Sequence, residues 1–321
     1  MSNNNKFKPA WWLSNPHLQT TWSVFARRRI EIALRRECLE LPDGDFVHLD
    51  WTVAGTGPIV LVLHGLAGSI ESHYAKGILQ AINHCGWRGV FMHFRGCSGT
   101  PNRLPRSYHS GETGDVQYVV EQIRQREPNT PIAAVGYSLG GNVLIKWLGE
   151  TGDKNPLTAA VVISVPFELA KIADQMDRGF SRVYQWWLMR SLHEAVEQKL
   201  KTIQTILAVE DVRKLNNFWQ FDEKITAPLH GFTNANDYYK KSSSRQYLHN
   251  ICVPTLILHG RDDPFMTSDV IPQNDELPPG VHMEVSEKGG HLGFIAGNVP
   301  FKPIYWSEQR VVDYLRGFLE K

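Results

Sequence analysis

The sequence has few cysteines, no excess of either charge and no long apolar run, and each shortage excludes a class of protein. Its four cysteines, Cys38, Cys85, Cys97 and Cys252, are widely spaced along 321 residues and form no CxxC pair. Disulfide-rich scaffolds and zinc modules need closely spaced cysteines or Cys/His clusters, so neither class fits. Lysine and arginine total 34 against 33 for aspartate and glutamate, a net charge of +1. This balance argues against a nucleic-acid partner, because nucleic-acid-binding domains are usually strongly basic.

Signals for membranes, secretion and cofactors are also lacking. The longest tightly apolar stretch, residues 59–63, is far shorter than the ~20 residues of a transmembrane helix. The opening MSNNNKFKPA has no apolar core of a secretory signal. With dispersed cysteines that indicate reduced thiols, we predict a cytoplasmic protein without an integral membrane segment. No GxGxxG follows a strand and no P-loop or metal-ligand spacing occurs, so we predict neither a cofactor nor a metal.

What the sequence does contain is an alternation of short buried strands with amphipathic helices. The predicted strands are residues 58–64, 89–95, 131–137, 158–165, 254–259 and 282–286. The predicted helices between them are residues 74–85, 115–126 and 142–150. Such alternation is typical of an α/β fold, a mostly parallel central sheet flanked by helices. Residues 30–41 and 46–54, joined by the turn Pro-Asp-Gly-Asp, predict an antiparallel pair before it.

Residues 166–250 interrupt this alternation. They contain no clear buried strand, favour helices and are rich in aromatic residues. A structureless loop of that length is improbable within a compact domain. We therefore predict one catalytic domain, residues 1–321, with residues 166–250 inserted into it as a helical cap.

The motif Gly-Tyr-Ser-Leu-Gly at residues 136–140 is a GxSxG pattern between a predicted strand and a predicted helix. A nucleophile elbow needs such a tight strand-to-helix turn, and small residues on either side permit the close packing. The following helix N-terminus also directs free N–H groups at developing negative charge. We therefore predict Ser138 as a nucleophile rather than as part of a structural turn.

A serine hydroxyl needs a base and an orienting acid, and in this fold they follow in the order Ser, Asp, His. Asp263 directly follows the strand that ends at His259 and is the predicted acid. Asp262 is a rival that we expect to cap the turn, and Glu168 is a more distant candidate.

His291, in the string Gly-Gly-His-Leu-Gly-Phe after the last predicted strand, is the predicted base. Flanking glycines suit a loop that lays an imidazole over the serine; the alternative is an ordinary surface-loop histidine. His282 lies within a strand and is interpreted as structural. His64, His93 and His259 end strands, where we expect them to satisfy local hydrogen bonds.

An oxyanion hole requires two backbone N–H donors. The residue after the nucleophile, Leu139, supplies one, and Leu66 in the loop His-Gly-Leu-Ala-Gly-Ser supplies the other in our prediction. Cys97 lies in a turn-rich loop without a paired base, so we interpret it as structural.

Six of the ten tryptophans lie in two segments. They are Trp11, Trp12 and Trp22 near the start and Trp186, Trp187 and Trp219 in the predicted cap. They either line an acyl pocket or touch lipid, or they fasten the first segment and the cap to the core. The second interpretation is preferred.

Several strings resemble the α/β-hydrolase superfamily and, within it, the YheT-like hydrolases. They are WLSNPHLQT at residues 12–20, HGLAGS at 64–69, HFRGCSG at 93–99, GYSLGGN at 136–142, DDPF at 262–265 and GGHLGF at 289–294. They span almost the whole chain in the expected order. The resemblance implies a Ser–Asp–His esterase-like enzyme and supports Ser138, Asp263 and His291 in those roles. Eukaryotic relatives act on lipids and phospholipids, so an acyl-lipid ester is one expected substrate.

Together these observations predict a serine esterase that cleaves a small to medium acyl or lipid-like ester through an acyl-enzyme. An acyltransferase or thioesterase would use the same triad, although the His-x4-Asp acyltransferase signature is absent: His109 and Asp115 miss it by one residue. The alternative from another class is a non-catalytic binding protein on a hydrolase scaffold. The expected partner is a small-molecule or lipid ester, and the sequence predicts no oligomeric state.

Overall fold

The computed structural model describes residues 6–27, 29–200 and 209–320, and its centre is an eight-stranded sheet. The strands are β1 (Leu34–Glu40), β2 (Phe46–Thr52), β3 (Ile59–Leu63), β4 (Arg88–His93), β5 (Ile132–Tyr137), β6 (Ala159–Ile163), β7 (Thr255–Gly260) and β8 (Val281–Ser286). Their order across the sheet is β1-β2-β4-β3-β5-β6-β7-β8. The six strands from β4 to β8 run parallel, whereas β2 pairs antiparallel with both β1 and β4. The predicted sheet, including its antiparallel opening, is confirmed.

Helices precede, connect and follow these strands. They are α1 (Pro16–Ala26), α2 (Ala75–His84), α3 (Gly114–Arg126), α4 (Leu139–Thr151), α5 (Leu169–Met176), α6 (Ser181–Leu200), α7 (Val209–Arg213), α8 (Phe218–Phe221), α9 (Ala227–Leu229), α10 (Ala235–Ser242) and α11 (Trp306–Leu319). A π-turn, Asp222–Thr226, separates α8 from α9, and two short strands, β9 (Ile295–Ala296) and β10 (Ile304–Tyr305), pair antiparallel. Among these helices none has the length and apolar character needed to cross a bilayer.

Successive strand residues point to opposite faces of the sheet, and helices cover both faces. Within β3, Leu61 and Leu63 pack in one apolar cluster with α3 and α4, while Val60 and Val62 pack in a second cluster with α2 and α11. All five residues of β3 are buried. This double burial explains why the parallel strands are continuous apolar runs rather than alternating ones.

Between β6 and β7 the described residues form the helices α5 to α10 and a 3-10 turn, Arg245–Asn250. These helices contain two small apolar clusters distinct from the clusters that cover the sheet. One includes Leu169, Ala227 and Tyr238, and the other includes Met189 and Phe221. The helices of this segment are therefore held to one another by apolar contacts of their own.

Candidate active site

Ser138 occupies the sharp turn between β5 and α4. Its backbone has φ 50° and ψ −117°, a conformation that L-residues rarely adopt, and α4 begins at the next residue. Glycines make this turn possible: a Cβ on Gly140 would lie 2.5 Å from the His64 carbonyl oxygen, and one on Gly136 would lie 2.7 Å from the Gly140 oxygen. The turn therefore projects the serine side chain from the carboxyl end of the sheet, beside the N-terminus of α4.

Two hydrogen bonds link Ser138 to His291 and Asp263. The imidazole Nε2 lies 3.0 Å from the serine Oγ, and Nδ1 lies 2.7 Å from the Asp263 Oδ2. Asp263 is 3% exposed and His291 6% exposed. The other Asp263 oxygen accepts the Phe265 N–H at 2.9 Å, which fixes the carboxylate. The structure thus brings together the three side chains that the sequence singled out.

The two rival acids lie elsewhere in the hydrogen-bond network. Asp262 accepts the Gly290 N–H at 2.9 Å, and burial raises the pKa of its carboxyl. Glu168 forms an ion pair with Arg245. Asp262 therefore supports the backbone of the histidine loop, while Glu168 is engaged at the start of α5.

The loop after β3 lies against the elbow. A Cβ on Gly65 would come within 3.3 Å of the Ser138 Cβ. The amides on either side of Leu66 are already used, because Gly65 N–H donates to the Tyr74 hydroxyl and Ala67 N–H to the Tyr108 hydroxyl, both at 2.8 Å. Within the described parts of the chain, the Leu66 amide donates to no protein acceptor.

The Leu139 amide is in the same situation at the start of α4: the described residues supply it with no acceptor. Two backbone donors that the sequence proposed for an oxyanion hole are thus available near the serine. Both belong to rigid elements, a turn held by tyrosine hydroxyls and the first turn of a helix.

No role was predicted for α1 from the residues alone, yet α1 holds the loop that carries His291. The Thr20 hydroxyl accepts the His291 N–H at 2.9 Å. Gln19, which is fully buried, accepts the Ile295 N–H and donates to the carbonyls of Leu13 and Ile295. In the sequence, the string WLSNPHLQT at residues 12–20 was the available indication that α1 matters, and it contributed only to the resemblance to the YheT-like hydrolases.

Phe265 lies flat against the imidazole of His291. The ring centroids are 4.0 Å apart and the planes differ by 9°. Because Asp263 also binds the Phe265 N–H, one short loop both orients the imidazole edge and covers its face. This contact was not predicted either.

A cavity of about 1110 Å³ reaches Ser138 and His291. Its wall on the side of α5 to α10 is mostly apolar. The apolar wall residues include Leu169, Ile172, Met176, Leu188, Leu192, Phe221 and Ile225. This volume and lining suit a small molecule with a sizeable apolar part beside the serine.

Polar groups line another part of the same cavity. The rings of His109 and His230 lie 4.6 Å apart, and burial lowers the pKa of each to about 3, so both are neutral near pH 7. Lys199 donates to the Asn102 side-chain oxygen at 2.6 Å, and burial lowers its pKa to about 8. The cavity therefore combines an apolar wall with a more polar region.

Asp222, in the π-turn, also faces this cavity. It accepts hydrogen bonds from Thr226 Oγ1 at 2.5 Å and from the Tyr239 hydroxyl at 2.6 Å. Burial outweighs these bonds and raises the pKa of the carboxyl to about 6.

His64, His93 and Cys97 make contacts other than those of a nucleophile with its base. His64 Nε2 accepts the Phe94 N–H at 3.0 Å, and burial lowers its pKa to about 3. His93 bonds to Asp50, and burial raises the pKa of the Cys97 thiol to about 12. These are local structural contacts, as expected. His259 differs from the expectation, because its buried Nδ1 has no hydrogen-bond partner among the described residues. Nowhere in the described ranges do three His, Cys, Asp or Glu side chains form a group that could hold a metal ion.

The tryptophans divide between the two interpretations. Trp12 packs edge-on against Trp22, and the Trp219 Nε1 donates to Asp174, as fastening contacts would. Trp11 and Trp186, in contrast, are mostly exposed. Trp187 is both exposed and part of the cavity lining.

A family model described as the alpha/beta hydrolase fold matches residues 58–297. The chain is 43% identical to YheT of Escherichia coli (strain K12), described as a candidate esterase, over 99% of this chain and 95% of that protein. It is 28% identical to the phospholipase ABHD3 of Mus musculus over 93% of this chain and 75% of that protein.

Among solved structures, the esterase Pf2001 of Pyrococcus furiosus is similar with a TM-score of 0.60. The match covers 90% of this chain and 91% of that one at 17% identity. At that level of identity the likeness concerns the fold.

Proposed function

Because the chain belongs to the α/β-hydrolase family and, within it, to the YheT-like hydrolases, we propose that it cleaves carboxylic esters with Ser138, His291 and Asp263 as a catalytic triad. One observation carries the proposal: the two hydrogen bonds that run from Asp263 through the imidazole of His291 to the Ser138 hydroxyl. A serine, a base within hydrogen-bond reach and a third group orienting the base are the elements of an activated nucleophile.

In the first half-reaction, Ser138 Oγ attacks the ester carbonyl while His291 Nε2 takes its proton. Asp263 keeps the imidazole in the tautomer that has Nδ1–H, and its charge stabilises the imidazolium that forms. His291 then donates the proton to the leaving alkoxide, which departs as an alcohol. The products of this step are an acyl-enzyme on Ser138 and the free alcohol.

The N–H groups of Leu66 and Leu139 stabilise the negative charge that develops on the carbonyl oxygen. Each such donor contributes ~10²–10³ in rate when it is already directed at the oxyanion. In the second half-reaction His291 takes a proton from water, the resulting hydroxide attacks the acyl carbonyl, and Ser138 recovers its proton. The acid product is then released.

The helices between β6 and β7 determine which ester fits. We propose that residues 166–250 act as a cap on a single hydrolase domain comprising residues 1–321, with the apolar wall of the cavity accepting the acyl chain. Small to medium acyl esters, including lipid-like ones, are the proposed substrates. Acyl transfer and thioester cleavage use the same triad, and the choice of acceptor is made in this cavity.

The test is fluorophosphonate labelling of the pure protein and of Ser138→Ala, followed by hydrolysis of p-nitrophenyl esters of increasing chain length. Labelling and turnover that both disappear in Ser138→Ala would support the proposal, and the preferred chain length would measure the acyl site. Competition between water and added alcohols for the acyl-enzyme identifies the acceptor, and comparison of esters with thioesters as substrates identifies the acyl donor. Wild-type turnover in Ser138→Ala would refute the triad, and a folded wild type that neither labels nor turns over would favour a binding protein.

A further inference from the structure

An exposed apolar surface lies on α1 and on the segment that begins α6. Six large side chains there are between 41% and 75% exposed. They are Val24, Phe25, Phe180, Val183, Trp186 and Trp187, and we call this set the aromatic ridge. Single exposed apolar residues are common on proteins, but a concentrated group of this kind marks an interaction surface.

The ridge is one surface although it comes from two distant segments. The ring of Phe25 on α1 stacks against Trp187 on α6 with centroids 5.9 Å apart. The imidazole ring of His17 on α1 packs against the ring of Phe180, with centroids 4.5 Å apart. On α6, Trp186 and Trp187 follow Val183 by three and four residues, so both lie beside Val183 on the helix surface.

Positive charge borders the ridge. Arg29, Arg178 and Arg182 are exposed, and no carboxylate within the described ranges lies within ion-pair distance of any of them. The nearby Asp177 accepts hydrogen bonds from the neutral amides of Gln185 and Asn217, so it keeps its negative charge. The three arginines outnumber this one carboxylate, and the charge beside the exposed aromatic rings is therefore positive on balance.

The ridge also reaches the cavity that contains Ser138. Val24 and Trp187 are both exposed on the ridge and part of the cavity lining, and Arg29 lines the cavity as well. A long apolar molecule bound at the ridge would thus lie at an opening of the space beside the serine.

We propose that the aromatic ridge docks on a lipid surface that carries anionic headgroups, and that lipid esters enter the cavity from there. Tryptophan and phenylalanine side chains partition into the interface between headgroups and acyl chains, and arginines beside them are attracted to anionic lipid. A second copy of this chain is a poorer occupant, because an interface formed by two identical ridges would gather the arginines of both copies and their like charges in one place. Delivery of substrate rests on the proposed esterase function, whereas docking itself does not.

The experiment is co-sedimentation with vesicles of phosphatidylcholine alone or mixed with phosphatidylglycerol. The wild type is expected to bind the mixed vesicles, and the triple variant Phe25→Ala, Phe180→Ala, Trp186→Ala to bind at least tenfold more weakly. Val53→Ser is the control. Val53 is 65% exposed but follows the end of β2, which pairs with the beginning of β4, so it lies at the amino ends of the parallel strands and away from the carboxyl ends where Ser138 lies. This variant should bind vesicles like the wild type.

Charge is tested separately with the double variant Arg178→Gln, Arg182→Gln. Each lost arginine should weaken binding to anionic vesicles about fivefold, since an arginine near such a surface contributes about 1 kcal/mol. Binding to pure phosphatidylcholine should change little, and added salt should reduce the difference between the two proteins.

Activity readouts separate docking from catalysis. None of the three substituted aromatic residues lines the cavity, so the triple variant should hydrolyse a short soluble ester at the wild-type rate and lose rate only on esters presented in vesicles. Ser138→Ala should bind vesicles like the wild type. If Ser138→Ala retains turnover, the esterase proposal fails and docking stands.

Docking is overturned if wild type and triple variant bind vesicles equally, or if neither binds. It is also overturned if light scattering shows that the wild type is a dimer, that the triple variant is a monomer, and that added vesicles do not dissociate the wild-type dimer. The ridge would then be an interface between copies.

Discussion

The hydroxyl of Thr20 accepts the backbone N–H of His291 at 2.9 Å, although 271 residues separate the two. The same hydroxyl donates to the Pro16 carbonyl at 2.8 Å, so it is fixed within α1. A Cβ on Gly290 would lie 2.6 Å from that Pro16 oxygen and 2.7 Å from the Thr20 oxygen, which shows how closely the loop rests on the helix. The position of the proposed base therefore depends on a helix that precedes the sheet.

Thr20→Val should lower kcat/KM for a soluble ester about tenfold. Valine has nearly the same shape but cannot accept the His291 N–H, and leaving a buried donor unsatisfied costs about 1–3 kcal/mol. The loop would relieve that cost by shifting, which would move Nε2 away from Ser138. Steady-state kinetics and the rate of fluorophosphonate labelling should fall together.

Thr20→Ser is the matched control, because serine keeps the hydroxyl and should retain most of the activity. A purely structural role would instead lower the melting temperature of Thr20→Val while leaving kcat/KM of the folded protein unchanged. Equal activity of the two variants would contradict the positioning role.

Asp263 and Asp262 should respond very differently to the same substitution. Asp263→Asn leaves an amide beside His291 Nδ1 and favours the wrong tautomer, an effect that costs about 10⁴ in kcat in a well-characterised serine protease. Asp262→Asn can still accept the Gly290 N–H through its amide oxygen, so activity should stay within a few-fold of wild type. Ester hydrolysis by the two purified variants decides between them, and the reverse ranking would make Asp262 the acid.

The sheet and the three central side chains were predictable because their signals are local. A buried parallel strand is a short apolar run, and the elbow and the acid each follow such a run directly. His291 has a weaker signal, because β8 is mostly half-buried and residues 287–290 separate it from the histidine; the flanking glycines were the additional indication. The contacts of Thr20 and Gln19 were not predictable in this way, because they join residues more than 270 positions apart and have no spacing pattern.

Helix boundaries show where propensity misleads. The sequence predicts a helix over residues 142–150, whereas α4 begins at Leu139 and ends at Thr151. Two glycines near the start, Gly140 and Gly141, lower the intrinsic preference for helix. Close packing overrides it, since a Cβ on Gly140 would lie 2.6 Å from the Leu63 carbonyl oxygen.

Gly140→Ala should therefore abolish ester hydrolysis and lower the melting temperature. The added methyl group would meet the backbone of His64 and Leu63, which cannot move without displacing the loop that carries the Leu66 amide. Gly317→Ala in α11 is the matched control: nothing lies within 4 Å of the added Cβ, so the change should be neutral or stabilising by up to about 1 kcal/mol. Thermal unfolding and ester turnover measure both effects, and an active, stable Gly140→Ala variant would contradict the packing argument.

The carboxyl of Asp222, which is partly buried beside the cavity, makes stability depend on pH. Burial raises its pKa from 3.8 to about 6, so between these values the folded protein binds more protons than the unfolded chain. The stability that this proton uptake provides is present below pH 3.8 and is lost as the pH rises through 6. Asp222→Asn removes this dependence. Its free energy of unfolding relative to the wild type should rise by about 2 kcal/mol between pH 4 and pH 8, measured by urea unfolding.

The comparison with the wild type at each pH cancels the contributions of the buried histidines, which both proteins share. Asp153→Asn, in the exposed turn after α4, is the control, and its difference from the wild type should be the same at both pH values. The asparagine side chain of Asp222→Asn can lose a hydrogen bond that Thr226 or Tyr239 donates to Asp222 in the wild type. Such a loss would lower the stability of the variant by a similar amount at both pH values. The change in the difference with pH is therefore the quantity that tests the raised pKa, and a difference that is constant or that falls with rising pH would contradict it.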